Sequence, residues 1–285
     1  MSAVRHDAAA GPGPAEPGRA EPGADPGGDR LPVVLLHALP LDSSMWDGTA
    51  RGLRALGHRV LTPDQRGFGA AAPPADRSPS LDLVADDLAR ELDRQGIDSV
   101  ALAGCSMGGY VAMAFLRRHP HRVRALALLA ARGTADTAET AGQRRRFADA
   151  VLDESARARI VAATTPSLLG ATARARQPRL LERVSGLALA ARPQSVAWAQ
   201  RAIAARTDST AVLRAADVPA VVVIGVEDEL VSLDEACRTA AALPRGRLVA
   251  LPGVGHLAPL EAPEATLEIL ADLLAHAQTA GTAAC

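Results

Sequence analysis

Val100-Ala101-Leu102-Ala103-Gly104-Cys105-Ser106-Met107-Gly108-Gly109-Tyr110 is the stretch that decides the fold. Its first four residues form an apolar run suited to a strand buried on both faces of a parallel sheet. Gly104, Ser106 and Gly108 then satisfy the pattern G-x-S-x-G, and Tyr110, Val111, Met113, Ala114 and Leu116 follow on a helical pattern. A strand that turns sharply into a helix, with small residues on both flanks, presents the central serine on the turn at the strand's carboxyl end. The helix start adds free N–H groups and the positive end of a dipole, both suited to developing negative charge. Ser106 is therefore the candidate nucleophile, and a serine hydroxyl needs a base, which in turn needs an acid to orient it.

The base is sought among seven histidines. His256 lies in Gly253-Val254-Gly255-His256-Leu257, a glycine-rich loop just after the last strand candidate. His119 and His121 lie at a helix end, His276 near the C-terminus and His6 in the N-terminal segment, and these four read as structural or incidental. For the acid, Val221-Val222-Val223-Ile224 leads into Gly225-Val226-Glu227-Asp228-Glu229. Asp228, at the carboxyl end of that strand, is favoured, with Glu227 and Glu229 as immediate competitors. The chain order is then Ser106, Asp228, His256, which differs from the orders of chymotrypsin and subtilisin.

Further strand candidates alternate with helices on both sides of this stretch. The strands are read at Pro32–His37, His58–Thr62, Ser99–Ala103, Val123–Leu129, Pro219–Ile224 and Arg247–Leu251. Helices are read at about 80–96, with Ser80 as N-cap and Gly96 as stop, and at 108–119, 233–242 and 263–277. This alternation implies a doubly wound parallel sheet. One excursion breaks it: Arg132 to Asp217 is helical throughout, with Leu180, Leu181, Val184, Leu187 and Leu189 near one stripe, and reads as a cap. The expected organisation is a Gly/Pro-rich, disordered tail at 1–30, a core at 31–131 and 218–285, and a helical cap at 132–217.

Composition narrows the chemistry. The chain has 285 residues and a net charge of -1, so it offers no broad attraction to nucleic acid or an anionic membrane surface. It has no apolar run long enough to span a bilayer and no secretory signal pattern. Three cysteines, Cys105, Cys237 and Cys285, suit a reduced compartment, and none has zinc-site spacing. A cytoplasmic enzyme without metal or cofactor is expected. All 31 basic residues are arginine, which reads as coding bias and also excludes a catalytic lysine.

Several segments together resemble an α/β-hydrolase. They are Leu35-Leu36-His37-Ala38-Leu39-Pro40-Leu41-Asp42, Asp64-Gln65-Arg66-Gly67-Phe68-Gly69, the Ser106 turn, the Asp228 loop, and Gly255-His256 with Pro259-Leu260-Glu261-Ala262-Pro263. The likeness extends over about residues 31–278 and is nearest to small bacterial serine esterases and 3-oxoadipate enol-lactonase-like hydrolases. It implies an oxyanion hole from the backbone N–H groups of Leu39 and Met107. It also implies a serine hydrolase acting on a small carboxylic ester or lactone. Alternatives are thioester or C–C bond hydrolysis, cofactor-free perhydrolysis, or a slow-turnover ligand-binding or signalling protein. In this fold, dehalogenase and epoxide hydrolase chemistry uses an aspartate where Ser106 stands. The resemblance shows two departures: Ala38 replaces the usual glycine, where its methyl could narrow the oxyanion hole or reorient the loop, and the usual leading hairpin is missing, so a mostly parallel sheet of about six strands is expected.

Other residues have blander readings. Asp64 and Arg66 read as a structural turn, and Cys105 as a packing residue beneath the serine. Arg144-Arg145-Arg146 reads as a solvated helix face that could also steer an anionic substrate. Trp46 and Trp198 read equally as pocket lining or core.

Overall fold

A computed structural model describes residues 30–74 and 78–282; the expected tail, His6 and Cys285 fall outside them. The first half of the chain is β1 (Val33–Leu36), α1 (Asp47–Ala55), β2 (Val60–Leu61), α2 (Leu81–Arg94), β3 (Val100–Cys105), α3 (Met107–Arg118) and β4 (Val123–Leu129). Helices follow without a strand: α4 (Ala138–Ala150), α5 (Glu154–Thr164), α6 (Ala171–Arg176), α7 (Pro178–Ala190), α8 (Pro193–Ala204) and α9 (Thr210–Arg214). The chain then returns through β5 (Ala220–Gly225), α10 (Leu233–Ala242), β6 (Gly246–Leu251), α11 (Ala258–Glu261) and α12 (Pro263–Thr282).

Among the described residues the sheet has six strands in the order β2-β1-β3-β4-β5-β6, every neighbouring pair parallel. The central strands are apolar because both their faces are covered: β1, β3 and β5 are buried at every position. Alternate residues feed two cores. Leu102, Val111, Phe115, Leu126 and Val222 lie in one, and Leu35, Trp46, Ala103, Leu129 and Val223 in the other.

Strand β2 is shorter than the stretch read from the sequence, because this edge strand pairs with β1 at only two positions. Ser80 caps α2 by accepting from the Asp82 N–H at 3.2 Å, and Gly96 adopts φ 64° just past its end. In α7, Val184 is fully buried while Leu189 is exposed, so the leucine stripe is narrower than the sequence pattern.

Two close approaches hold the functional end of the sheet together. A methyl on Gly104 would strike the Gly108 carbonyl, and one on Gly108 would strike the Leu36 carbonyl. Glycine at both positions lets α3 start directly against β3 and β1. On the other side, the buried Glu261 carboxylate accepts from the N–H groups of Gly170 at 2.8 Å, Gly255 at 2.9 Å and Leu257 at 2.9 Å. It ties the start of α6 to the loop that follows β6.

Gly104→Ala or Gly108→Ala should therefore destabilise the fold by at least about 2 kcal/mol, since backbone must move. Gly96→Ala, which meets open space and only strains φ, should cost about 1 kcal/mol. Glu261→Ala leaves three buried donors without an acceptor and should cost about 3 kcal/mol or more. Urea midpoints compared with the parent protein check all four variants.

Candidate functional site

Ser106 sits between the end of β3 and the start of α3 with φ 52°, a conformation that costs a non-glycine residue about 1–3 kcal/mol. The surroundings impose it. The Ser106 N–H donates to the Leu129 carbonyl at 2.8 Å, and its carbonyl accepts from the Tyr110 N–H at 3.1 Å. The side chain faces a cavity of about 880 Å³, which His256, Leu39 and Tyr110 also line. Residues of α4, α5 and α8 line it as well.

His256 is almost wholly buried. Its Nδ1 meets Asp228 Oδ2 at 2.8 Å, with the carboxylate side chain fully shielded from solvent. The other carboxylate oxygen of Asp228 accepts from the N–H groups of Leu230 at 2.8 Å and Val231 at 3.0 Å. The loop itself thus aims Asp228, and a carboxylate at Nδ1 leaves Nε2 for work elsewhere. The competing acids are engaged away from the ring. Glu227 accepts from the Thr172 hydroxyl at 2.6 Å and N–H at 2.8 Å, bonds that hold its carboxyl below the usual carboxylate range. Glu229 pairs with Arg174 at 2.9 Å.

Leu39 and Met107 lie on the two segments that meet at the serine. Met107 opens α3, so its N–H has no partner within the helix. Among the described residues, neither the Met107 nor the Leu39 N–H donates to a protein acceptor. Ala38 does not narrow the space. It is fully buried in the core with Leu35 and Trp46, does not line the cavity, and its N–H points at Met45 Sδ at 3.1 Å. Its φ is not positive, so the methyl brings no strain.

Two roles, those of His37 and Glu261, were not visible in the sequence, and the support given by Cys105 was. His37 Nε2 accepts from the Gln65 N–H at 2.9 Å, which puts the ring hydrogen on Nδ1, 3.1 Å from the Ala38 carbonyl. The Gln65 side-chain amide donates to the His37 carbonyl at 2.7 Å. Full burial pushes the His37 pKa down and keeps the ring neutral. This brace fixes the loop that carries Leu39; its signal was the Leu36-His37 step at the end of an apolar strand. The Cys105 thiol donates to the His256 carbonyl at 3.6 Å, and burial pushes its pKa well up, so it is an inert support. Glu261 holds the N–H groups on either side of His256.

The remaining candidates sort clearly. Asp64 accepts from the N–H groups of Ser43 at 2.9 Å and Ala70 at 2.8 Å, and Arg66 pairs with Asp87, so both serve turns. Trp46 and Trp198 are core residues outside the cavity lining. His119, His121 and His276 also lie outside it. The triple arginine is not one solvated face: Arg145 and Arg146 are exposed, but Arg144 turns inward and lines the cavity.

Comparison with known proteins places this geometry in a family. A family model described as alpha/beta hydrolase fold matches residues 32–263. A thermophilic esterase from Thermogutta terrifontis, solved with malate bound, is 34% identical with TM-score 0.83, covering 87% of this chain and 90% of that one. The enol-lactonase from Burkholderia xenovorans LB400 is 26% identical with TM-score 0.76, covering 86% and 92%. The 2-hydroxymuconate semialdehyde hydrolase of Pseudomonas sp. (strain CF600) is 28% identical over 273 residues, 89% of this chain and 90% of that protein. A parallel sheet with its serine at the strand-to-helix turn, matched over nearly the whole described length, makes this chain a member of the alpha/beta hydrolase fold family.

Proposed function

We propose that the protein is a serine hydrolase that cleaves a small carboxylic ester or lactone through an acyl-enzyme on Ser106. The observation that carries this reading is the cavity shared by Ser106 and a His256 whose Nδ1 is held by buried Asp228. The similarity to an esterase and an enol-lactonase supports it. Serine rather than aspartate at the turn favours acyl transfer over epoxide opening.

In this mechanism Ser106 Oγ attacks the carbonyl carbon while His256 Nε2 takes its proton. Asp228 holds the ring and stabilises the imidazolium. The N–H groups of Leu39 and Met107 receive the oxyanion, each donor contributing about 3 kcal/mol to the transition state. His256 then protonates the leaving alkoxide. A water molecule, activated by the same nitrogen, attacks the acyl-enzyme and releases the acid and free Ser106. Helices α4–α9, within residues 132–217, act as the cap over residues 31–131 and 218–285. A cytoplasmic setting belongs to the same reading; among the described residues Cys105 and Cys237 are both unpaired thiols.

A second reading has one observation in its favour. The relative from Pseudomonas is named for a semialdehyde rather than an ester, which favours attack by the same serine at a non-ester carbonyl, including C–C bond cleavage. A panel of esters, lactones, thioesters and β-diketones separates the two, with esters or lactones expected to turn over fastest.

Ser106→Ala should lower turnover of short p-nitrophenyl esters by about a thousandfold or more while leaving the far-UV circular dichroism spectrum unchanged. Residual activity within tenfold of the parent would sink the proposal. Asp228→Asn should lower kcat by about a thousandfold or more, because the wrong tautomer of His256 is then favoured. Glu227→Gln, by contrast, should leave kcat within about threefold, because its carboxylate holds Thr172 rather than the ring. The reverse result, a large loss in Glu227→Gln with Asp228→Asn little affected, would move the acid to Glu227.

A further inference from the structure

The cavity wall carries more positive than negative charge. Asp136, whose side chain is 1% exposed, accepts three guanidiniums: Arg132 at 2.6 Å, Arg144 at 2.7 Å and Arg206 at 2.9 Å. Burial alone would raise its carboxyl, but hydrogen bonding from Arg206 and the charges of Arg144 and Arg206 hold it below the usual carboxylate range, so it counts as one negative charge. Glu235 adds a second, 3.4 Å from Arg132. Arg157 adds a fourth guanidinium, and it donates only to the Leu189 and Ala191 carbonyls. The rim pairs, Arg238 with Asp234 and Arg174 with Glu229, neutralise themselves. Four guanidiniums thus face two carboxylates, and Arg132, Arg144 and Arg157 line the cavity.

Arg132, Arg144 and Arg157 share the cavity with Ser106 and Tyr110, and Arg206, outside that lining, covers the Tyr110 ring at 4.1 Å. Arg144 keeps one terminal nitrogen beyond its bonds to Asp136 and Gln200. A guanidinium fork fits a carboxylate, and the attraction strengthens where the cavity excludes water. A wholly neutral substrate would leave this charge uncompensated.

We infer that the substrate carries an ionised carboxylate a few bonds from the scissile carbonyl, received by Arg144 and Arg132 on the side of Tyr110. This rests on the ester-hydrolase reading above and specifies its substrate class: the monoester, or the lactone, of a small dicarboxylic acid.

Proton release from monomethyl glutarate and from methyl valerate, followed by pH-stat, gives the ratio of their kcat/KM values. The parent protein should favour monomethyl glutarate at least tenfold at low salt, and the preference should shrink as salt rises. Arg144→Gln should cut that ratio at least tenfold, Arg144→Lys should keep part of it, and Arg145→Gln, on the exposed face, should keep all of it. A ratio near one in the parent protein, or a ratio indifferent to Arg144→Gln in a variant with native circular dichroism, overturns the inference and leaves the hydrolase reading standing. If neither ester turns over, the hydrolase reading falls instead. Calorimetry on Ser106→Ala then decides the anion site alone. Monomethyl glutarate binding that weakens at least tenfold on adding Arg144→Gln supports it, and no binding overturns it.

Discussion

Ser106 is held at φ 52° in a turn with no room to relax. Gly104 lies against the Gly108 carbonyl, and Gly108 against the Leu36 carbonyl, so β3, α3 and β1 meet backbone to backbone. The two ends of the turn are also bonded, to β4 through the Ser106 N–H and into α3 through its carbonyl. The cost of the strained residue is met by burial of the sheet on both faces, since strain persists only where the surroundings over-determine it. The same contact sets the reach of the candidate oxyanion donors. Met107 N–H opens α3 at the serine, and the loop that brings Leu39 departs from β1, the strand that α3 touches.

Three acids within one loop and a fourth nearby have separate tasks because their backbone positions differ. Asp228 is turned inward by the N–H groups of Leu230 and Val231 and so meets His256. Glu227 reaches Thr172 and Glu229 reaches Arg174, both on α6. Glu261 reaches Gly170 just before α6 while gripping the backbone around His256. The helical insertion is therefore bonded to the loops that carry His256 and Asp228. A displacement of α6 would be felt at the histidine.

The fold was legible wherever local pattern and tertiary burial agree. The β3 run, the glycines around Ser106, and the Ser80 and Gly96 boundaries of α2 depend on neighbours in sequence, and each formed close to where the pattern put it. The count of about six strands was legible as well, and among the described residues six parallel strands form. What could not be read depends on partners far along the chain. Glu261 looks like an ordinary helix-start glutamate, and only folding brings Gly170, ninety-one residues earlier, to its carboxylate. His37 meets Gln65 across 28 residues. Arg144 and Arg145 are neighbours in one basic run, and a helical turn of about 100° per residue sends one inward and the other out. Ala38 looked like a threat to the oxyanion loop because the direction of its methyl is a tertiary property.

The arginine-only composition has a physical consequence at the cavity. A lysine buried beside Asp136 would be a compact charge that sheds its proton readily when desolvated. Guanidiniums stay charged and bond in several directions at once. Arg206, for example, pairs with Asp136, donates to the Ile203 and Thr134 carbonyls and covers the Tyr110 ring. Three of them can therefore share one carboxylate and remain charged, which keeps a net positive field in the cavity wall. The scarcity of aromatics works in the same direction. Besides its charged and polar residues, the cavity is lined by aliphatic side chains such as Leu39, Val161, Leu168 and Ile203, with Tyr110 and Phe147 as its benzene-type rings. Selection within it then depends on charge and length more than on stacking.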